Sequence, residues 1–138
     1  MIDHKIEIGQ VSDFTKITSP SDAARGPGTE ELYYLVSTAA ILDMVIEGSG
    51  QMLDDKLPKE YTTVGAYIEI HHDHPTLVGE SVNIRIKVEN IEGSIIFLGV
   101  EGFDAMGQIF KGKYERHIVN KDRLMKYAYE RFPGASQV

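Results

Sequence analysis

Apolar and polar residues alternate with a period of two in two parts of the chain. Val64, Ala66, Ile68 and Ile70 alternate with Gly65, Tyr67 and Glu69, and Val82, Ile84, Ile86 and Val88 alternate with Asn83, Arg85, Lys87 and Glu89. A strand turns successive side chains to opposite faces, so each stretch predicts a strand with one buried face. Ile95 to Phe103 is apolar on both faces and lies between turn signals at Glu92-Gly93-Ser94 and Asp104-Ala105-Met106-Gly107, after which Ile109 to Val119 returns. Together these segments read as an antiparallel meander. Ahead of them, Ile6, Ile8, Phe14 and Ile17 predict a strand bent at Gly9, and Ser19 to Gly28 reads as loop because its prolines and glycines stand too close for a regular element.

The segment from about Ser37 to Leu53 carries a nearly unbroken apolar run, Ala39, Ala40, Ile41, Leu42, Met44, Val45 and Ile46, with Ser37 or Thr38 able to cap its start. A helix of this kind is buried on most sides, and Gly48, Ser49 and Gly50 let it lie close against a sheet. Asp54-Asp55-Lys56-Leu57-Pro58 ends it, and an amphipathic helix is expected from Asn120 to about Arg131. The fold class is α+β: a long central helix wrapped by a curved antiparallel sheet, in a single domain over residues 1–138 with no repeat or linker. The strand apolar on both faces asks for cover from a second subunit, so a homodimer or a dimer of dimers is expected.

A formal charge of −7 disfavours non-specific nucleic-acid binding, which needs clustered cations. The balance reverses locally, since Lys111, Lys113, Arg116, Lys121, Arg123 and Lys126 face only Glu115 and Asp122; the stretch is either a solvated face or a seat for a small anion. The absence of cysteine excludes disulfides, a thiolate nucleophile and cysteine-based metal sites. No apolar run approaches a membrane span, and the first residues lack the apolar core of a signal peptide, so a cytoplasmic location is expected.

Candidate chemistry lies where polar residues interrupt apolar rows. His72 ends the row Val64, Ala66, Ile68, Ile70, and Arg116 interrupts the row Phe110, Gly112, Tyr114, Ile118. An inward guanidinium needs an anionic or carbonyl partner, from the protein or from a ligand. Asp43 and Glu47 are one turn apart on the apolar helix and need partners or a route to water. In His71-His72-Asp73-His74 only two histidines point the same way, so no metal site is assigned.

The stretch from Val64 to Glu80 resembles hotdog-fold thioesterases of the fluoroacetyl-CoA thioesterase-like group: Gly65, His72, Thr76 and Gly79 stand at that group's glycine, histidine and Thr-Pro-Val-Gly-like turn. Gly112-Lys113-Tyr114-Glu115-Arg116 is similar to its Gly-Thr-His-Glu-Arg motif, with tyrosine for histidine, and the likeness runs from about Ile6 to Tyr127. It implies a hotdog fold, usually dimeric, and hydrolysis of a small acyl-CoA thioester, with no cofactor beyond the coenzyme A of the substrate. By that resemblance Thr38 and a helix glutamate activate water or the attacking carboxylate, His72 assists as acid or base, Gly65 offers its N–H to the thioester carbonyl, and Ser37 and Arg116 help to hold substrate. The group's glutamate follows its threonine by eight residues, which falls on Ile46, so either Glu47 or Asp43 supplies the carboxylate, or none does. The alternatives to a thioesterase are a non-catalytic hotdog module binding acyl-CoA or another small carbonyl ligand, and a hotdog dehydratase or isomerase.

Overall fold

The computed structural model describes residues 2–28 and 30–134. Five strands form one sheet: β1 (Val11–Ile17), β2 (Tyr61–His72), β3 (Ser81–Glu92), β4 (Ile95–Asp104) and β5 (Gly107–Asn120), in the order β1-β3-β4-β5-β2. Every neighbouring pair is antiparallel. The helix α1 (Thr38–Leu53) packs on the inner face, and α2 (Lys121–Arg131) follows β5 with Asn120 as its cap. This is the hotdog fold expected from the sequence.

The inner face is built from the alternation already visible in the chain. Val82, Ile84, Ile86 and Val88 of β3 and Ile96, Leu98 and Val100 of β4 are buried against Ile41, Met44, Val45, Met52 and Leu53 of α1. Each such side chain contributes about 1.5–3 kcal/mol on leaving water, which is why a helix this apolar stays where it is. Gly48 lets α1 approach closely, since a Cβ there would lie 3.0 Å from the Phe14 ring.

Three expectations change. The first strand starts only at Val11: Ile6 is buried in the core, but Gly9, at φ +92°, makes a turn in which Gln10 N–H bonds Glu7 O at 3.2 Å, so the chain reverses rather than bends. The predicted inward row of β2 is wrong in its first half. Gly65 pairs with Arg116 and Tyr67 with Glu115, leaving Ala66 as a β-bulge. One extra residue shifts the parity, so Thr63 and Gly65 share the inner face with Ile68, Ile70 and His72, and Val64 does not. Finally, β4 lies inside the sheet, and its outer residues Ile95, Phe97 and Phe103 are half-buried, Phe103 beneath the Arg85 guanidinium at 6.0 Å. Flanking side chains thus give the second face part of the cover that had been assigned to a second subunit.

Two inner rows cross the sheet and position the polar residues. One is Gly102 of β4, Phe110 of β5 and His72 of β2; the other is Ile96, Arg116 and Gly65. Phe110 is fully buried, and its ring occupies the space that a Cβ on Gly102 would need. Gly102→Ala is therefore expected to displace Phe110 and to lower stability by about 1–3 kcal/mol, read as a lower urea midpoint at unchanged slope.

Candidate active site

The site begins at the N-terminus of α1. Ser37 is extended, and its Oγ accepts the Ala40 N–H at 3.0 Å, the bond that makes serine a favoured helix cap. Its own N–H donates to the Asp22 carbonyl at 2.8 Å, and Val36 N–H donates to Thr76 O at 2.9 Å, so the approach to the helix is fixed from two sides. Thr76 is itself held by its hydroxyl donating to Asp104 at 2.8 Å.

Thr38 is the first helical residue, and its Oγ1 is 2.8 Å from His72 Nδ1. The His72 ring lies on the inner face at the end of β2, beside Phe110, and its Nε2 is buried without a hydrogen-bond partner among the described residues. Leaving such a group unpaired costs about 1–3 kcal/mol, so the ring is arranged for a bond that the described residues of this chain do not make. The backbone N–H groups of Thr38 and Ala39 also have no acceptor among the described residues. They open toward the same end of the helix, where its dipole favours negative charge. A hydroxyl, an imidazole and free N–H donors at a helix start can hold a carbonyl and exchange a proton with it or with water.

Of the other candidates, Ser37 spends its hydroxyl on the cap. Arg116 is 5% exposed and lies in the other row, six residues from Phe110 along β5, so it stands about 20 Å from His72 within one chain. Within one chain the two residues therefore stand apart. The Arg116 guanidinium donates to Thr63 Oγ1 at 2.8 Å, Thr63 O at 2.7 Å, Tyr114 Oη at 2.7 Å and Ser49 Oγ at 3.4 Å. Thr63 in turn donates from Oγ1 to Asp54 at 2.6 Å. Gly65 is exposed and pairs with Arg116.

The carboxylates of α1 separate from the dyad. Glu47 follows Thr38 by nine residues, a rotation of about 180°, and it lines a groove against β1 with Asp13, Phe14, Lys16 and Gln51. Asp43 is exposed, and neither carboxylate has a hydrogen bond or ion pair among the described residues. Ile46, about 80° from Thr38, occupies the neighbouring face, 42% exposed. The basic residues between Lys111 and Lys126 also diverge: Lys111 and Lys113 lie on the outer face of β5, Arg116 on the inner, and the others on α2, so they build no common anion seat.

Residues 19–122 match the family FlK, fluoroacetyl-CoA-specific thioesterase. The chain belongs to this thioesterase family. A hot-dog-like protein from Thermanaerovibrio acidaminovorans is 31% identical, with TM-score 0.86 over 93% of this chain and 94% of that one. A Thermus thermophilus hypothetical protein of the thioesterase superfamily is 21% identical, with TM-score 0.83 over 95% and 98%. The fluoroacetyl-CoA thioesterase FlK is 17% identical, with TM-score 0.84 over 96% and 99%. No curated protein matches the chain in sequence.

Sequence reading missed Asp22, whose signal was the capping pattern Ser19-Pro20-Ser21-Asp22. Burial acts to raise its pKa, but the Lys16 ammonium at 2.9 Å and the Ser19 N–H at 2.9 Å outweigh it, and the carboxyl is held below its ordinary value. A depressed carboxyl stabilises the fold above its unfolded pKa of about 4 and loses that contribution as pH falls through the lower folded value. Asp22→Asn is expected to melt below the parent at pH 7 and to converge with it toward about pH 2, as thermal melts across that range will show.

Proposed function

We propose that the protein is a cytoplasmic, homodimeric hydrolase of small acyl-CoA thioesters, with Thr38 and His72 at the reacting bond and no cofactor beyond the coenzyme A of the substrate. The observation that carries this reading is the 2.8 Å contact between Thr38 Oγ1 and His72 Nδ1 at the start of α1, with the second ring nitrogen buried and unpaired. Variants of FlK have been crystallised with fluoroacetate and CoA and with acetyl-CoA, which supports the choice of substrate class.

In this reading the thioester carbonyl oxygen lies at the free N–H donors, and Thr38 fixes the ring. His72 takes a proton from the attacking water, the C–S bond breaks, and the CoA thiolate receives that proton, leaving a carboxylate product. A positioned imidazole is worth about 10²–10⁴ in rate. Glu47, on the opposite side of α1, takes no part, and Asp43 is not joined to the dyad.

The proposed dimer follows from the free edge. β2 closes the sheet on one side with Tyr67 51% exposed, and an edge strand is a template for pairing. Antiparallel pairing of two β2 strands about a two-fold axis at Glu69 would set Ile70 opposite Ile68 and His71 opposite Tyr67 and, with Ala66 bulged, bring Gly65 of one protomer beside His72 of the other. The arrangement supports a role for Gly65 N–H at the carbonyl of the partner's site, a role it does not have within one chain.

A second reading, a binding module without turnover, is favoured by Ile46, which stands where the family's glutamate falls. Free-thiol release from a panel of short acyl-CoAs separates the two. Thr38→Val and His72→Asn are expected to lower kcat about 100-fold or more, and Glu47→Gln to stay within about threefold of the parent. Binding of the esters without thiol release would establish the second reading instead. The composite site has its own test. A folded His72→Asn chain mixed with a folded, inactive Gly65→Ala chain is expected to recover about one quarter of parental activity, because half of the dimers are mixed and each then holds one intact site. Sites complete within a single chain would recover none.

A further inference from the structure

We propose that Arg116 and Tyr114 are positioning residues that hold the bulged edge of β2 at Gly65, and that neither touches the substrate; this rests on the reading of Gly65 as a carbonyl donor. The guanidinium is buried, and no carboxylate lies within ion-pair distance of it among the described residues. Four of its N–H groups meet neutral oxygens, and the nearest negative charge, Asp54, reaches it only through the Thr63 hydroxyl. With those donors engaged and the residue 5% exposed, it has little left to offer a ligand.

What the guanidinium does hold surrounds one point of the chain. Its Nη2 fixes the carbonyl of Thr63, two residues before Gly65 on the same strand. Its Nη1 fixes the Tyr114 hydroxyl, which rests against Gly65 so closely that a Cβ there would collide with the phenol oxygen. Immediately afterwards Ala66 bulges out of the ladder. A bulge leaves its peptide groups less constrained than regular pairing does, so their direction is set by what packs beneath them. Here that support is the phenol, and the phenol is held by Arg116. Tyrosine, where the family motif has histidine, reaches the strand because Gly65 has no side chain.

Tyr114→Phe removes the hydroxyl and keeps the ring, and Arg116→Lys keeps the charge and loses the fork. Both are compared with the parent below their melting temperatures. If Gly65 is positioned through Tyr114, Tyr114→Phe lowers kcat about tenfold with KM within about twofold, because only the transition state feels a misaligned donor. Arg116→Lys behaves similarly, and the Gly65 amide resonance of Tyr114→Phe moves and exchanges faster. Parental kcat, a change confined to KM, or an unmoved Gly65 resonance would overturn the proposal. A parent that releases no thiol from any acyl-CoA refutes the hydrolase reading itself, and the amide measurement then still decides whether Tyr114 positions Gly65.

Discussion

The position of α1 along its own axis is the constraint on which the rest depends. Apolar burial keeps the helix against the sheet, but burial is non-directional and would tolerate sliding. Two polar contacts in the otherwise apolar interface remove that freedom. Thr38 meets His72 at one end, and Ser49 meets Arg116 at the other. The eleven-residue step from Thr38 to Ser49 spans about 16 Å of helix, comparable with the roughly 20 Å between the His72 and Arg116 rows along the sheet. The same contacts that fix the helix are therefore the two places, among the described residues, where α1 meets polar side chains of the sheet.

Much of this was legible in the residues. The alternation of Val82 to Val88 identified a half-buried strand, Ser37 or Thr38 marked a cap that the structure gives to Ser37, and His72 and Arg116 stood out as polar interruptions of apolar rows. The bulge at Ala66 was not legible, because Val64-Gly65-Ala66-Tyr67-Ile68 alternates as smoothly as an unbroken strand. Its only signal was a glycine inside a strand pattern, which equally marks a close approach, and here the glycine serves that purpose under the Tyr114 phenol. An unbroken alternation would turn Thr63 to the outer face, so without the bulge the acceptor that satisfies Arg116 could not be foreseen. The inward guanidinium then looked like a ligand site, since a buried charge must find partners somewhere.

The carboxylates stand apart from the dyad for a reason that helical geometry already offered as one of three alternatives. Residues 38, 42 and 46 form one row, so a carboxylate facing Thr38 belongs at 46, and neither Asp43 nor Glu47 lies within it.

Ile46 gives the family's departure a physical direction. On the proposed reading, the exposed Ile46, one turn beyond Leu42, adds an apolar residue to the approach to the dyad where the resemblance puts a carboxylate. An apolar wall lowers the local dielectric and strengthens the hydrogen bonds that Thr38, His72 and the helix N-terminus offer to a carbonyl. It also removes an acceptor that could orient water. The two effects oppose each other: the first favours holding an acyl thioester, the second slows its hydrolysis. On the proposed reading, affinity should therefore survive in this chain better than turnover, with proton transfer left to His72.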